Sequence, residues 1–213
     1  MILSGLGLTV LIAVLSGLIG ILLAFGLVLL RQRNYGAVNR LIAFYESLIA
    51  GIPAVVILMV LYYVVFGKVQ ISAVIVAIIG FALIFGARGY GVIRNAIGAV
   101  DPGQWEAAFA LGLSERQAFR QIILPQSMPI YLPTLQSQFV TLLKETSVAG
   151  FITVLELTRA GDLIRSATME AFFPLISIAV IYYILTWLMT KLVGLFDVSL
   201  ERKHQARRIK GVD

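Results

Sequence analysis

DPGQWEAAFALGLSERQAFRQIILP, Asp101 to Pro125, is the one long polar island between apolar stretches of this chain. Its residues read as a folded knob. Asp101-Pro102 is a helix start, with Asp101 as N-cap, Pro102 at N1 and Gln104 in capping-box position. Gly112 suits the left-handed position just past the helix end. Ser114 opens a second helix with Gln117 three residues on, and Pro125 is expected to end it. Ala107, Ala108 and Ala110 make one side small enough for close approach. Trp105, Phe109, Leu111, Leu113 and Phe119 are too apolar for a free loop. Such a knob packs on its own helices or enters a partner's groove.

Outward from the knob the chain is built for lipid. Of its 213 residues 60% are hydrophobic and 13% charged, the latter about half the ordinary globular share. Apolar runs of roughly 20 residues recur, enough to cross a hydrocarbon core of about 30 Å. The expected class is all-α integral membrane, with a single transmembrane unit over residues 1–200 and a basic tail over 201–213. Five spans are expected, at about 6–30, 48–66, 71–93, 133–151 and 172–196. Gly17, Gly20 and Gly26 allow close helix contact in the first, and Pro53 falls in the first turns of the second. Tyr182, Tyr183 and Trp187 fall inside the fifth and read as packing residues. The first run has no basic residue before it and ends in Arg31 and Arg33, so it reads as a span and not a cleaved signal.

Charge sets the orientation. Arg31, Arg33, Arg40, Arg94, Arg116, Arg120 and the tail fall on one side; Lys68, Arg159 and Arg165 fall on the other. The positive-inside rule then places the N-terminus outside, and the knob and C-terminus in the cytoplasm. The net charge of +6 serves this topology, not nucleic-acid binding. The tail is expected to meet anionic headgroups, with His204 solvated. The chain has no cysteine and one histidine, His204, which rules out thiolate sites and histidine metal clusters. No Ser-His pair or spaced carboxylate pair suggests a membrane enzyme.

Glu106-Ala107-Ala108, three residues, Gly112, nine residues, then Ile122-x-Leu124-Pro125 resembles the EAA signature of ABC importer permeases. Ile93 to Ile97, Pro102-Gly103-Gln104, Leu142 to Ser147 and Leu200-Glu201-Arg202 resemble its polar amino-acid branch, so the likeness covers about residues 5–203. It implies a type I importer permease fold of five membrane helices with a cytoplasmic coupling loop. It also implies a second permease copy or homologous sister, cytoplasmic ATPases and an external solute-binding protein. In that family the EAA helix docks in a cleft of the ATPase. Glu106, Ala107, Ala108, Gly112, Ile122, Leu124 and Pro125 are then the coupling residues. No G-x-x-x-x-G-K-[ST] occurs here, and Gly67-Lys68 is the nearest fragment. ATP and magnesium therefore belong to the partner ATPase, and this chain needs no cofactor.

Polar residues inside spans mark a candidate solute path. Thr134, Gln138, Thr141 and Glu145 share one face of the fourth span, with Ser137 and Lys144 in an adjoining row. The alternative is polar glue between helices. Arg88 stands in the third span with Gly91 three residues on. Related permeases commonly have tyrosine and glutamate at these places, so the cation here points to an anionic or amide-bearing amino acid such as glutamate, aspartate or glutamine. A plain anchor at the membrane boundary is the competing role for Arg88. Glu156, Asp162 and Arg165 are expected on an outer loop, solvated or facing a binding protein. The other functional readings are a permease for cationic amino acids or opines, and a stand-alone channel or secondary carrier.

Overall fold

The computed structural model describes residues 1–33 and 35–210, with side chains described through Gly194. Every regular element among them is helical. In chain order these are α1 (Ile2–Arg31), α2 (Gly36–Gly51), α3 (Ala54–Met59), α4 (Ala73–Gly98), α5 (Gly103–Ala110) and α6 (Glu115–Ala118). They are followed by α7 (Leu124–Glu145), α8 (Leu157–Thr168) and α9 (Phe172–Lys210). Three are long and apolar enough to cross a membrane: Ile2–Arg31, Ala73–Gly98 and Phe172–Gly194. The pair Gly36–Gly51 and Ala54–Val65 passes the same test together but is bent by 110°.

The helix α1 is the spine, with α4 lying along it and α7 and α8 against its other sides. Small residues allow this. A methyl group at Gly20 would come 2.9 Å from the carbonyl oxygen of Ala82 on α4, and one at Gly17 would meet the Phe139 ring of α7 at 2.6 Å. Only glycine lets the backbones approach so closely. Ser16 adds a cross-helix bond, its hydroxyl donating to the Ile78 carbonyl at 3.1 Å.

Two expected helix boundaries differ for the same reason, proline. The second span was expected as one run over 48–66. Instead the chain breaks at Ile52 and Pro53, and Ile52 is extended with φ −116° and ψ 131°. The Pro53 ring disfavours a helical residue before it, so the run divides into α2 and α3. Pro125 was expected to stop the knob's second helix, but the chain passes through it. Phe119–Ile123 widens into a π-helical turn, in which the Leu124 N–H reaches back to the Phe119 carbonyl. The wider turn lets the helix carry on past a residue with no N–H of its own. The helix at the expected fourth span therefore starts at Leu124 and not at 133, and it is not among those long and apolar enough to cross a membrane. It ends as helix at Glu145, before a 3₁₀ stretch, Thr146–Ile152.

Two core clusters stack along the bundle. One holds Ile12, Leu58, Phe81, Phe85, Leu142 and Ile152. The other holds Val28, Tyr90, Ile93, Phe119, Ile123 and Tyr131. The second joins the knob to α1, α4 and α7 without a gap. At the C-terminal end, α9 runs to Lys210 and so takes in most of the expected basic tail. The side chains of Arg202, Lys203, His204, Arg207, Arg208 and Lys210 lie outside the described residues. Of the three aromatics expected to pack within α9, Tyr182 does so. Tyr183 and Trp187 are 74% and 54% exposed on the chain's outer face.

Candidate functional site: a surface knob and two ion pairs among the helices

The knob forms by the caps its sequence carries, with one register shift. Ser114 and Gln117 make a reciprocal capping box on α6. Gly112 has φ +77°, the left-handed conformation that turns the chain between α5 and α6. At the first helix the expected Asp101 cap is displaced: Pro102 holds the cap position of α5. The Asp101 carboxylate accepts from the Gly103 N–H at 2.8 Å. Gln104 makes no capping box and instead accepts from Gln126 on α7 at 2.8 Å, tying the two ends of the knob together.

The apolar residues of the knob divide cleanly. Phe119 is buried and Trp105 packs against the lower core cluster. Phe109 and Leu111 are 50% and 78% exposed. Glu106, Ala107 and Ala110 are exposed beside them, whereas Ala108 is fully buried against its own chain. The three alanines therefore do not form one small face. Ala108 packs the knob, and Glu106, Ala107, Phe109, Ala110 and Leu111 form its outward surface. Ile122, Leu124 and Pro125 are half-buried in the run that joins the knob to α7.

Inside the bundle, two of the predicted path residues meet. Arg88 Nη1 on α4 donates to both Glu145 carboxylate oxygens on α7 at 2.8 Å. Arg88 lies ten residues before the end of α4 at Gly98, about 15 Å at 1.5 Å per residue. It was read as a cation lacking a negative group; the fold supplies one from another helix. The rest of the stripe is less tied. Thr141 donates to its own helix at the Ser137 carbonyl, 2.9 Å away, and Gln138 is half-buried. Thr134, Ser137 and Lys144 are exposed from this chain.

A second pair was not anticipated. Arg94, two turns along α4, donates to Glu46 of α2 at 2.6 Å and lies over the Tyr90 ring at 5.5 Å. Gly91 sits beside this pair, where a methyl group would meet the Glu46 carboxylate at 2.9 Å. The place where the resemblance led to an expected acid is thus already beside one. Glu46 was legible in principle: it is the lone acid in the apolar run Leu41 to Ile49, and an isolated intramembrane carboxylate calls for a partner. Starting the second span at residue 48 left it out.

The connection after α7 also differs from the solvated loop expected there. Glu156 is fully buried. It caps α8, its carboxylate accepting from the Thr158 and Arg159 N–H groups at 2.7 Å and from the Tyr182 hydroxyl at 3.3 Å. Burial pushes its carboxyl above the ordinary range, and the bonds from Thr158, Arg159 and Tyr182 offset only part of this. Asp162 is the reverse case: hydrogen bonds and charge from Arg165, with help from Arg159, hold it below the ordinary range. A raised carboxyl lends stability when protonated, fully below its ordinary value, and that stability is lost as pH rises through the raised one. Melting of the purified chain between pH 4 and 8 is therefore expected to fall with a Glu156-dependent slope. Glu156→Gln should remove that slope. Identical pH slopes for the two proteins would reject this assignment.

The chain resembles known proteins over most of its length. The family described as binding-protein-dependent transport system inner membrane component matches residues 16–203. "Probable amino-acid ABC transporter permease protein YckA" of Bacillus subtilis is 36% identical over 207 residues, covering 95% of this chain and 88% of its own. The L-cystine transport system permease protein TcyB of the same organism is 30% identical, covering 93% and 86%. Among solved structures, an amino acid ABC transporter crystallised with histidines superposes with a TM-score of 0.85 at 34% identity, covering 93% of each chain. The knob and the helical bundle therefore have a common explanation: this chain belongs to the binding-protein-dependent transport system inner membrane component family, as an ABC transporter permease subunit that is not itself an enzyme.

Proposed function

We propose that this chain forms the translocation path of an ATP-driven importer for a polar amino acid and is driven through its knob by a separate ATPase. The observation that carries this is the continuous helical run from Glu115 to Glu145. It joins the knob to the polar face and to the Arg88–Glu145 pair without leaving helix, through the π-helical turn at Phe119–Ile123. A push on the knob is thereby a push on the path, as rigid-body alternating access requires. Phe109 and Leu111 supply the apolar contact for the ATPase, and Glu106, Ala107, Ala108 and Gly112 set the knob's shape. ATP and magnesium are bound by that ATPase. An extracytoplasmic solute-binding protein delivers the solute, and a second permease copy or homologous sister covers the exposed face that carries Lys144. The chain sits in the cytoplasmic membrane with its N-terminus outside and its knob and C-terminus inside.

The ion pair refines the solute. Arg88 and Glu145 together are neutral and present both signs, matching the α-carboxylate and α-ammonium of a zwitterion. Because Glu145 compensates the cation, Arg88 leaves less excess positive field than it would alone. This favours a glutamine-type side chain within the glutamate, aspartate and glutamine class. Relatives with names that mention cystine and histidine support the amino-acid class and show its breadth. The test is ATP hydrolysis by the reconstituted transporter with its binding protein, scanned across amino acids. Glutamine, glutamate or aspartate should stimulate several-fold more than lysine or arginine. Preference for lysine or arginine would overturn the solute reading, and stimulation by no amino acid would overturn the class.

A further inference from the structure

Where α1 ends, beside the knob, the structure holds a cleft of about 550 Å³ lined by Leu29, Gln32, Arg33, Tyr35, Glu115, Arg116 and Arg120. It gathers three guanidinium groups and a single carboxylate. Among the described residues none of Arg33, Arg116 and Arg120 has a carboxylate within 4.0 Å. Arg88, Arg94, Arg159 and Arg165, by contrast, are each paired with an acid, and Arg31 donates to the Tyr90 hydroxyl. Gln32 and Tyr35 add neutral hydrogen-bonding groups to the wall. Three unpaired forks around one opening suit a phosphate group, which a guanidinium holds through two parallel bonds.

A second feature leads into this cleft. Leu11, Leu15, Leu18, Leu22 and Leu29 are exposed on α1 at 46%, 37%, 57%, 73% and 41%. Their spacings of four, three, four and seven residues place them on one helical face. The track runs along the membrane-crossing length of α1 and ends at Leu29, which is itself part of the cleft wall. An apolar track that ends among arginines matches a molecule with hydrocarbon chains and an anionic head.

We propose that the cleft between the end of α1 and α6 binds the phosphate of an acidic phospholipid whose acyl chain lies along the α1 leucine track. The proposal rests on the reading of this chain as a permease with its knob at the membrane surface. It goes beyond that reading in assigning a lipid to the joint between span and knob. Arg33 follows α1, whereas Arg116 lies on α6 and Arg120 on the π-helical turn after it. One headgroup bound by all three bridges the membrane span to the knob. The lipid then sets how firmly the knob is held against α1, and so tunes coupling without touching the solute path.

The experiment uses the purified full chain in detergent, titrated with phosphatidylglycerol and, separately, with phosphatidylcholine, with bound lipid counted by native mass spectrometry. Phosphatidylglycerol should bind at least tenfold more tightly. Arg33→Gln and Arg116→Gln should each reduce that preference about tenfold. Arg33→Lys should keep most of it, and Arg40→Gln, an exposed cation outside the cleft, should leave it unchanged. Equal retention of both lipids, or an equal loss with Arg40→Gln, would overturn the site. Deacylated glycerophosphoglycerol binding as tightly as the lipid would overturn the lipid source in favour of a soluble phosphate. Cleft variants that weaken ATPase retention yet bind phosphatidylglycerol normally would assign the arginines to the ATPase instead. None of these outcomes depends on amino-acid-stimulated ATP hydrolysis, so the lipid site and the transport function fail separately.

Discussion

Gly112→Val is expected to lower solute-stimulated ATP hydrolysis of the assembled transporter by about tenfold while leaving the permease in the membrane at normal levels. The reason lies in the backbone. Gly112 has φ +77°, and a methyl group built there meets nothing within 4 Å. Space is therefore not the obstacle; conformation is. A β-branched residue in the left-handed region costs on the order of 1–3 kcal/mol. The turn relaxes by moving α5 relative to α6. No helix of the bundle depends on that turn, since Phe119 and Ile123 hold the following run in the core. The outward surface of Glu106, Ala107, Phe109 and Leu111 does depend on it, because it sits on the α5 side. Gly112→Asn separates conformation from bulk: asparagine tolerates the left-handed region and should keep most of the stimulation. Equal loss in the two variants, or full stimulation with valine, would show that the knob's shape is not what couples it.

The knob was readable because its signals are local. A capping box spans four residues, and a left-handed glycine acts on its own turn, so Ser114, Gln117 and Gly112 behave as their neighbours dictate. Where a second chain segment intervened, local reading failed. Gln104 lost its capping role to a side chain twenty-two positions away, Gln126. Pro125 and Pro53 show the limit of proline as punctuation. At Pro53 the chain takes the break and bends by 110°. At Pro125 a π-helical turn just before it absorbs the missing donor, and packing of Phe119 and Ile123 keeps the run straight enough to continue. No spacing rule distinguishes those outcomes, because the difference lies in what the flanking side chains bury against.

The polar groups within the bundle follow the same division. Helical spacing put Gln138, Thr141 and Glu145 on one face of α7, and Arg88 and Gly91 on α4, from the sequence alone. What it did not reach was that Arg88 and Glu145 pair, since 57 residues separate them. Burial was equally hidden at Glu156. A glutamate before a polar helix reads as solvated. Only its position under Tyr182 and beside α1, where Thr9 accepts from the Leu157 N–H at 3.1 Å, makes it a buried cap.

The Arg88–Glu145 pair yields the other large effect. Arg88→Met alone should leave Glu145 as an uncompensated acid between α4 and α7. Glu145→Met alone should leave the guanidinium unpaired. Removing one member of a fully buried pair costs about 3–5 kcal/mol. The pair here is 36% and 26% exposed, so about 1–3 kcal/mol is the appropriate range for each single variant. The double variant Arg88→Met/Glu145→Met removes both charges and keeps comparable volume, so thermal stability should return close to that of the unaltered chain. Transport separates glue from path. If the pair only fastens α4 to α7, the double variant recovers uptake along with stability. If the two charges receive the carboxylate and ammonium of the solute, the double variant is stable and inserted yet moves amino acid at least about tenfold more slowly, one lost charge-assisted contact being worth roughly 1.5–3 kcal/mol. We expect the second outcome. The stripe supports it: Thr134, Ser137 and Lys144 remain exposed on the same helix, so α7 offers a polar face in excess of what holding α4 requires. Recovered uptake in the stable double variant would assign the pair to the scaffold and move the solute contacts to Gln138, Thr141 and Lys144.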